Sequence, residues 1–149
     1  MRLKTRNNNH AFTLIELLVT MAIIAILAAI SLVGLNSVRE SARDARRKAD
    51  LEQIRGGLEM FKSDCGRYPA SLPAVGNPLT GDGSTPNCPN SNTYIARIPS
   101  DPTPGRTYYY SSPGSRQAYE LCASLEGGGS DTCTGSCGSA TCNYKTVNP

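Results

Sequence analysis

A single glutamate stands inside the longest apolar run of the chain. The run FTLIELLVTMAIIAILAAISLVG extends from Phe12 to Gly34, and Glu16 is its only charged residue. A carboxylate at the centre of a bilayer costs about 2.5–3.5 kcal/mol on insertion scales, so such a charge is usually functional and requires a partner. The alternative is that Glu16 lies near one end of a span and reaches the lipid headgroups. The chemistry indicated at Glu16 is therefore charge pairing.

The six cysteines carry the second chemical signal of the sequence. They are Cys65, Cys88, Cys122, Cys133, Cys137 and Cys142. An even number of cysteines in a short exported domain is typical of a disulfide framework. The last four could instead form a Cys₄ zinc site, but their spacings contain no C-x-x-C pair. We therefore expect six disulfide-bonded cysteines and no metal.

Enzymatic chemistry is poorly supported by the remaining residues. His10 is the only histidine and precedes the apolar run, so Ser-His and Cys-His arrangements are not expected in the domain that follows it. We predict no catalytic residues and no cofactor. The run from Tyr108 to Tyr110 could form a stacking platform for DNA or another ligand. Alternation along a strand instead predicts ordinary packing, with Tyr108 and Tyr110 on one face and Tyr109 on the other.

The apolar run is long enough to cross a bilayer, since about 20 residues suffice for a helix. Arg2, Lys4 and Arg6 precede it and account for the whole formal net charge of +3. Basic residues before a span remain on the cytoplasmic side, so the chain after Gly34 should face outward. The basic charge is thus confined to the N-terminal tip, and no nucleic-acid partner is predicted. An ordinary secretory signal has a shorter apolar core that is followed by an A-x-A-like cleavage site. Here the apolar core is longer, and no such site follows it.

One continuous helix is predicted from about Thr13 to Ser63, because no proline occurs before Pro69. Beyond the span, this helix carries two apolar stripes at spacings of three and four residues. The first, mostly alanine, suits close approach of another helix and comprises Leu35, Val38, Ala42, Ala45 and Ala49. The second is bulky, suits burial against a globular domain and comprises Leu51, Ile54, Leu58 and Phe61. Most charges between them are expected on a solvated face, with a weaker lipid-headgroup alternative for Arg43, Arg46 and Arg47.

The C-terminal region predicts a small antiparallel sheet. Strand-like runs separated by Pro and Gly turns cover residues 93–98, 107–112, 118–125 and 142–147. Such a sheet is too small to be stable alone, so the bulky helix stripe should cover it and disulfides should staple it. The predicted fold class is α+β, a long N-terminal helix packed on a small antiparallel sheet.

Three motifs resemble the type IV pilins and the type II secretion pseudopilins. The first is the basic leader followed by FTLIELLVTMAIIAILAAI, with Phe12 first and Glu16 fifth. The second, LEMFKSDCGRYPASL, is similar to the helix end of major pseudopilins. The third, IPSDPTPGRTYYYSSPGSRQAYELCASLEGG, resembles their sheet region. Together these motifs cover about half of the chain.

The resemblance implies assembly rather than catalysis. A prepilin peptidase would cut between Ala11 and Phe12 and methylate the new amine, although this family usually has glycine where Ala11 stands. The subunit would sit in the inner membrane as a single-pass protein and then join a cell-surface or periplasmic filament through an assembly platform. The new amine of Phe12 is a chemically sensible partner for Glu16, because methylation keeps its positive charge. The family often has a mid-span proline that lets the helix melt, and this chain has none.

The resemblance also raises the question of calcium. Major pseudopilins often hold calcium in the loop after the last matched strand, where this chain has SLEGGGSDTCTGSCGSATC. Glu126 and Asp131 are the only carboxylates there, whereas calcium takes six to eight oxygen ligands. We therefore expect disulfides in place of metal, with Glu126 and Asp131 as the ligand candidates if calcium binds. The expected pairs are Cys65–Cys88, Cys122–Cys142 and Cys133–Cys137.

The predicted organisation has four parts: a leader at 1–11, a transmembrane and filament-core helix at 12–34, its amphipathic continuation at 35–64, and a β-rich head at 65–149. The predicted function is a structural subunit of a type IV pilus or pseudopilus, a homopolymer serving adhesion, motility, DNA uptake or secretion. The alternative is a monomeric membrane-anchored binding module outside the cytoplasm. An anchor alone needs no Phe12–Glu16 arrangement, which favours the filament.

Overall fold

The computed structural model describes residues 12–147, with the side chains of residues 32–34 left aside. The described chain forms two compact units, one extending to Val38 and one beginning at Arg39. The helix α1 (Leu14–Cys65) contributes to both units. Its observed bounds agree with the predicted continuous helix. Gly66 follows it with a φ of 73° and donates its N–H to the Lys62 carbonyl at 2.8 Å, a left-handed glycine end.

Seven short strands follow the helix. They are β1 (Leu79–Thr80), β2 (Thr93–Ile95), β3 (Tyr109–Ser111), β4 (Glu120–Ala123), β5 (Ser136–Cys137), β6 (Ala140–Thr141) and β7 (Tyr144–Val147). They pair antiparallel into a three-stranded sheet in the order β3-β4-β7 and two-stranded sheets β1-β2 and β5-β6. The predicted strands correspond to β2, β3, β4 and β7, each shorter than predicted. The additional strands β1, β5 and β6 have two residues each, too few to leave a periodic signal.

The core of the second unit forms where the bulky stripe of α1 meets the strands. Leu51, Ile54 and Leu58 are fully buried, and Phe61 is 1% exposed, as the spacing predicted. They pack with buried residues of the strands and their connections, namely Tyr68, Leu79, Ile95, Ile98, Tyr119, Leu121 and Ala123. The α+β prediction is therefore confirmed, because the helix supplies apolar cover that these small sheets lack.

The tyrosine run packs as strand alternation predicted. Tyr108 and Tyr110 contact the main core, whereas Tyr109 contacts a second cluster of cysteines. The Tyr108 hydroxyl donates to Asp50 at 2.6 Å and the Tyr110 hydroxyl to the Pro69 carbonyl at 2.8 Å. These side chains are therefore components of the fold.

The cysteines form three disulfides, one expected and two not. Cys65 is bonded to Cys88, the pair predicted beside the helix end. Cys122 is bonded to Cys133 and Cys137 to Cys142, so the expected pairs Cys122–Cys142 and Cys133–Cys137 are wrong.

The register of the strands explains these two pairings. Cys122 lies opposite Lys145 in the β4–β7 pair, so Cys142 is displaced from Cys122 by three residues, about 10 Å along a strand. That displacement exceeds the Cα separation a disulfide allows. The β5–β6 hairpin instead turns the chain back, with Cys137 opposite Ala140. This turn brings the Cα atoms of Cys137 and Cys142 to 5.2 Å.

Candidate assembly site and the charge cluster of the head

The start of α1 is built as a capping box. Thr13 lies just before the first helical residue, and its side-chain oxygen accepts the Glu16 N–H at 3.3 Å. Glu16 in turn accepts the Thr13 N–H through Oε2 at 3.4 Å. This reciprocal pattern, Thr-x-x-Glu, satisfies two backbone donors that a helix N-terminus leaves free. The Thr-x-x-Glu spacing is visible in the sequence, and the structure adds Thr13 to the residues that contact Glu16.

Phe12, with a side chain 81% exposed, lies immediately before this cap. Residues four apart share one face of a helix, so an amine created at Phe12 would lie close to Glu16. Within residues 12–147, the hydrogen bonds of the Glu16 carboxylate go to Thr13 alone. Ala11, the other residue of the predicted cleavage site, lies outside the described residues. The structure thus leaves Glu16 available to a cation from elsewhere.

The first unit exposes a long apolar surface. Its exposed large side chains between Phe12 and Ile30 are Phe12, Leu14, Ile15, Leu17, Leu18, Val19, Met21, Ile23, Ile24, Ile26, Leu27 and Ile30. Exposed apolar patches of such size mark membrane or protein contacts. Among residues 12–147, α1 is the one helix whose length and composition would let it cross a bilayer. The Ala-rich stripe of the next segment is also exposed.

The second unit contains a cluster of charged side chains, here called the charge cluster. Its members are Arg43, Asp44 and Arg47 of α1, Asp101 and Arg106 between β2 and β3, and Glu126 after β4. The Arg47 side chain is 0% exposed and that of Asp101 is 1% exposed. Most charges of this helical segment were predicted on a solvated face, and for Asp44 and Arg47 that prediction is wrong. Arg47 is likewise too buried to reach lipid headgroups.

Arg47 is the centre of the charge cluster. Its guanidinium donates two parallel hydrogen bonds to the Asp101 carboxylate, from Nε at 2.8 Å and from Nη2 at 3.0 Å. Nη1 donates to Asp44 at 2.7 Å, and Nη2 lies 2.9 Å from Glu126 Oε1. Nη2 also donates to the Thr103 hydroxyl at 2.7 Å. A buried charge is tolerated only when paired and hydrogen-bonded in this way.

Two further contacts connect the loop after β4 to the helix. Asp44 accepts the backbone N–H groups of Glu126 at 2.9 Å and Gly127 at 2.8 Å. Arg43 donates to both carboxylate oxygens of Glu126, a fork-like pairing that is among the strongest available to a carboxylate. The helix therefore holds the start of this loop through both its backbone and its side chain.

These contacts shift the pKa values of the charge cluster. The hydrogen bond from Arg43, reinforced by Arg47 against the opposing effect of burial, lowers the pKa of Glu126 to about 2. Burial alone would raise the pKa of Asp44, but the N–H groups of Glu126 and Gly127 and the Arg47 guanidinium outweigh it and lower that pKa. The hydrogen bonds to Asp101 raise the pKa of Arg47 against burial. Glu126, Asp44 and Arg47 are therefore charged at neutral pH.

The donors in this region do not fit calcium. Both oxygens of Glu126 are taken by arginines, and Asp131 accepts the Lys145 N–H at 2.9 Å. Within residues 12–147, neither of the two groups of potential metal-ligating side chains contains Glu126 or Asp131. Those groups are Cys65–Asp82–Cys88 and Glu120–Cys122–Cys133, whose cysteines are disulfide-bonded and offer no thiolate.

A capped apolar helix whose glutamate contacts no cation among residues 12–147, continued by a disulfide-stapled α+β head, defines a pilin-like filament subunit. The comparisons agree with this class: the prokaryotic N-terminal methylation motif matches residues 6–32, and the type II secretion system protein G family matches residues 35–141. The chain belongs to the type II secretion system protein G family. The resemblance read from the three motifs is thereby confirmed.

Curated relatives cover most of the chain. The type II secretion system core protein G of Pseudomonas aeruginosa is 34% identical over 132 residues, covering 85% of this chain and 92% of the relative. The Escherichia coli protein of the same name is 29% identical over 121 residues, covering 80% and 83%. That of Klebsiella pneumoniae is 32% identical over 114 residues, covering 75% and 81%. No solved structure matches the chain.

Proposed function

We propose that this protein is a structural subunit of a type II secretion pseudopilus, a helical homopolymer that serves protein export. The observation that carries this function is the match to the protein G family over residues 35–141, next to a methylation motif that spans the start of α1. The curated relatives carry the same name. The filament is favoured over a monomeric binding module, because a simple anchor needs neither the motif nor Glu16.

Processing would occur at the junction of Ala11 and Phe12. The methylation motif covers this junction, and Phe12 lies exposed directly before the helix cap. A prepilin peptidase would remove the leader at 1–11 and methylate the new amine. Alanine before the cut is small, as the family's usual glycine is, so the same enzyme can accept it.

Assembly would pair the Glu16 carboxylate of one subunit with the Phe12 amine of a neighbour. The helices would leave the bilayer together, and in that apolar bundle a lone carboxylate is costly while a pair is attractive. Within the described residues 12–147, the Glu16 carboxylate has only the local contacts to Thr13, so no cation there compensates its charge. The pair would mark the register between neighbouring helices, and misplaced subunits would be rejected.

The order of events follows from the four proposed parts of the chain. The basic leader would stay in the cytoplasm while residues 12–34 anchor the subunit in the inner membrane. Residues 35–64 would continue the helix toward the head at 65–149, outside the cytoplasm. After cleavage, an inner-membrane platform would add the subunit to a periplasmic filament. The partners are thus other copies of the chain, the peptidase and the platform.

Intact-mass measurement and electron microscopy test this function together. The subunit purified from producing cells should begin at a methylated Phe12, and overproduction with the secretion machinery should give filaments that contain it. A chain of that mass that stays monomeric would contradict the filament and support the binding module. Retention of residues 1–11 in exported protein would contradict the processing step.

A further inference from the structure

The charge cluster has a cation at its centre that is part of the chain itself. The Arg47 guanidinium contacts Asp44 of its own helix, Asp101 of the segment before β3 and Glu126 of the loop after β4. These partners lie up to 79 positions away, and the related contact from Arg43 to Glu126 joins residues 83 positions apart. One side chain therefore ties together three segments that secondary structure leaves independent.

We propose that Arg47 is an internal cation that fixes the loop after β4, so the folded head neither binds calcium there nor needs it. This loop comprises residues 124–131, which follow β4 and precede Cys133, the disulfide partner of Cys122. In a calcium-held loop the metal would collect oxygens from several segments. Here a guanidinium with five N–H donors collects them, and its position is set by the helix that carries it.

The charges of the cluster balance without a metal. Three carboxylates, those of Asp44, Asp101 and Glu126, face three guanidinium groups, those of Arg43, Arg47 and Arg106. Arg106 is the most distant, with Nη1 at 3.9 Å from Glu126 Oε1. A divalent ion at Glu126 would meet these positive charges within a few ångströms, in surroundings where like charges repel strongly. It would also have to displace hydrogen bonds that the arginines already make.

The rest of the loop is held by contacts of the same metal-free kind. Its first residues are fixed by the Asp44 carboxylate through the N–H groups of Glu126 and Gly127. Farther along, Asp131 accepts the Lys145 N–H at 2.9 Å, and its own N–H donates to the Asn143 carbonyl at 3.2 Å. The Cys122–Cys133 disulfide closes the segment covalently. Both the start of the loop and its end at Asp131 thus have protein partners.

The test uses the full chain, purified in detergent without reductant, and measures calcium binding and thermal unfolding. Calorimetric titration with calcium chloride should show no binding heat beyond that of dilution. The unfolding temperature in millimolar calcium should equal that in chelator within about 1 °C. Saturable calcium binding, or stabilisation by calcium of several degrees, would overturn the proposal.

The matched variants are Arg47→Met and Arg46→Met. Arg47→Met removes the buried cation and leaves three carboxylates facing two arginines, so it should lower the unfolding temperature by about 10 °C or more. Arg46 is 62% exposed and its pair with Asp50 is 4.0 Å long, so Arg46→Met should stay within about 2 °C of the parent. Equal unfolding temperatures for the two variants would contradict a central role for Arg47.

A second variant keeps the proposal testable if Arg47→Met fails to fold. Glu126→Gln removes one charge while keeping the shape, and it should lower the unfolding temperature by about 5 °C in calcium and in chelator alike. An unchanged temperature would show that the loop does not depend on the cluster. These measurements need no filament, so they give a result whether or not the proposed pseudopilus function is correct.

Discussion

The first unit and the head treat their charges in opposite ways. In the first unit, the Glu16 carboxylate lies among exposed apolar side chains, and its one partner among residues 12–147 is Thr13. In the second unit, which comprises α1 from Arg39 onward and the head, Arg47 is completely buried and its charge is met by Asp44, Asp101 and Glu126. The charge cluster has its counter-charges within one chain, whereas the Glu16 carboxylate contacts no cation among residues 12–147. We therefore expect Glu16 to pair with a charge of a second molecule, whereas the charge cluster stabilises the fold of its own chain.

The largest effect is expected from removing the incomplete charge. Glu16→Gln should leave cleavage and membrane insertion intact yet weaken each subunit contact on the order of 10²–10³-fold, because it would delete one member of the proposed ion pair with Phe12. Filaments counted by electron microscopy should be lost. Glu16→Asp should give an intermediate defect, since the carboxylate survives on a shorter stem.

Glu40→Gln is the matched control, because Glu40 is an exposed glutamate of the same helix beyond the apolar run. It should assemble normally. If Glu16→Gln formed filaments of normal number and length, Glu16 would not need a charge partner from another subunit, and this contrast with the charge cluster would be wrong. Glu16 would then be a capping and headgroup-facing residue.

The second prediction compares the effect of a Leu→Ala substitution on stability in the two regions. Leu58 is fully buried against the strands, so Leu58→Ala should lower the free energy of unfolding of the head by about 2–5 kcal/mol. Leu18 is 68% exposed, so Leu18→Ala should change head stability by less than about 0.5 kcal/mol. Urea unfolding followed by tyrosine fluorescence measures both. Equal losses would mean that the apolar helix start contributes to the core of the head.

The third prediction concerns acid. The pKa of Glu126 is lowered to about 2, and the pKa of Asp44 is also lowered. Carboxylates with depressed folded-state pKa values stabilise fully above their unfolded values near pH 4, and this contribution is lost as pH falls toward about 2. The head should therefore lose stability between about pH 4.5 and 2.

Thermal unfolding across this pH range measures the effect. Glu126→Gln should flatten the acid slope, because the group that titrates has been removed. Glu52→Gln, at a glutamate whose side chain is 56% exposed, should keep the parental slope. A parental slope in Glu126→Gln would show that other carboxylates govern acid unfolding.

The smallest effect is expected at the helix cap. Thr13→Ala removes the side-chain oxygen that accepts the Glu16 N–H, which should cost the helix start about 1 kcal/mol. Faster amide exchange at residues 14–17 measures the loss, and Thr13→Ser should restore protection. Unchanged exchange in Thr13→Ala would show that the cap contributes nothing beyond Glu16.

The sequence was sufficient for features that depend on neighbours along the chain. The continuous helix and its end before Gly66 follow from the lack of proline and from local spacing. The buried stripe from Leu51 to Phe61 and the two-sided packing of the tyrosine run follow from periods of 3.6 and 2. The Thr13 cap also follows from local sequence, since Thr-x-x-Glu is the spacing of a capping box, although the sequence analysis did not predict it.

The tertiary structure alone decided which distant residues meet. Arg47 and Asp44 lie in a charged stretch with no periodic sign of burial, and their partners Asp101 and Glu126 come from loops far along the chain. The pairing of Cys122 with Cys133 depends on strand register and on a two-residue hairpin, both of which local sequence leaves open. The spacing of apolar residues predicts which face of a helix or strand a residue occupies. The residue that it contacts on that face depends on the path of the loops that pack against the helix.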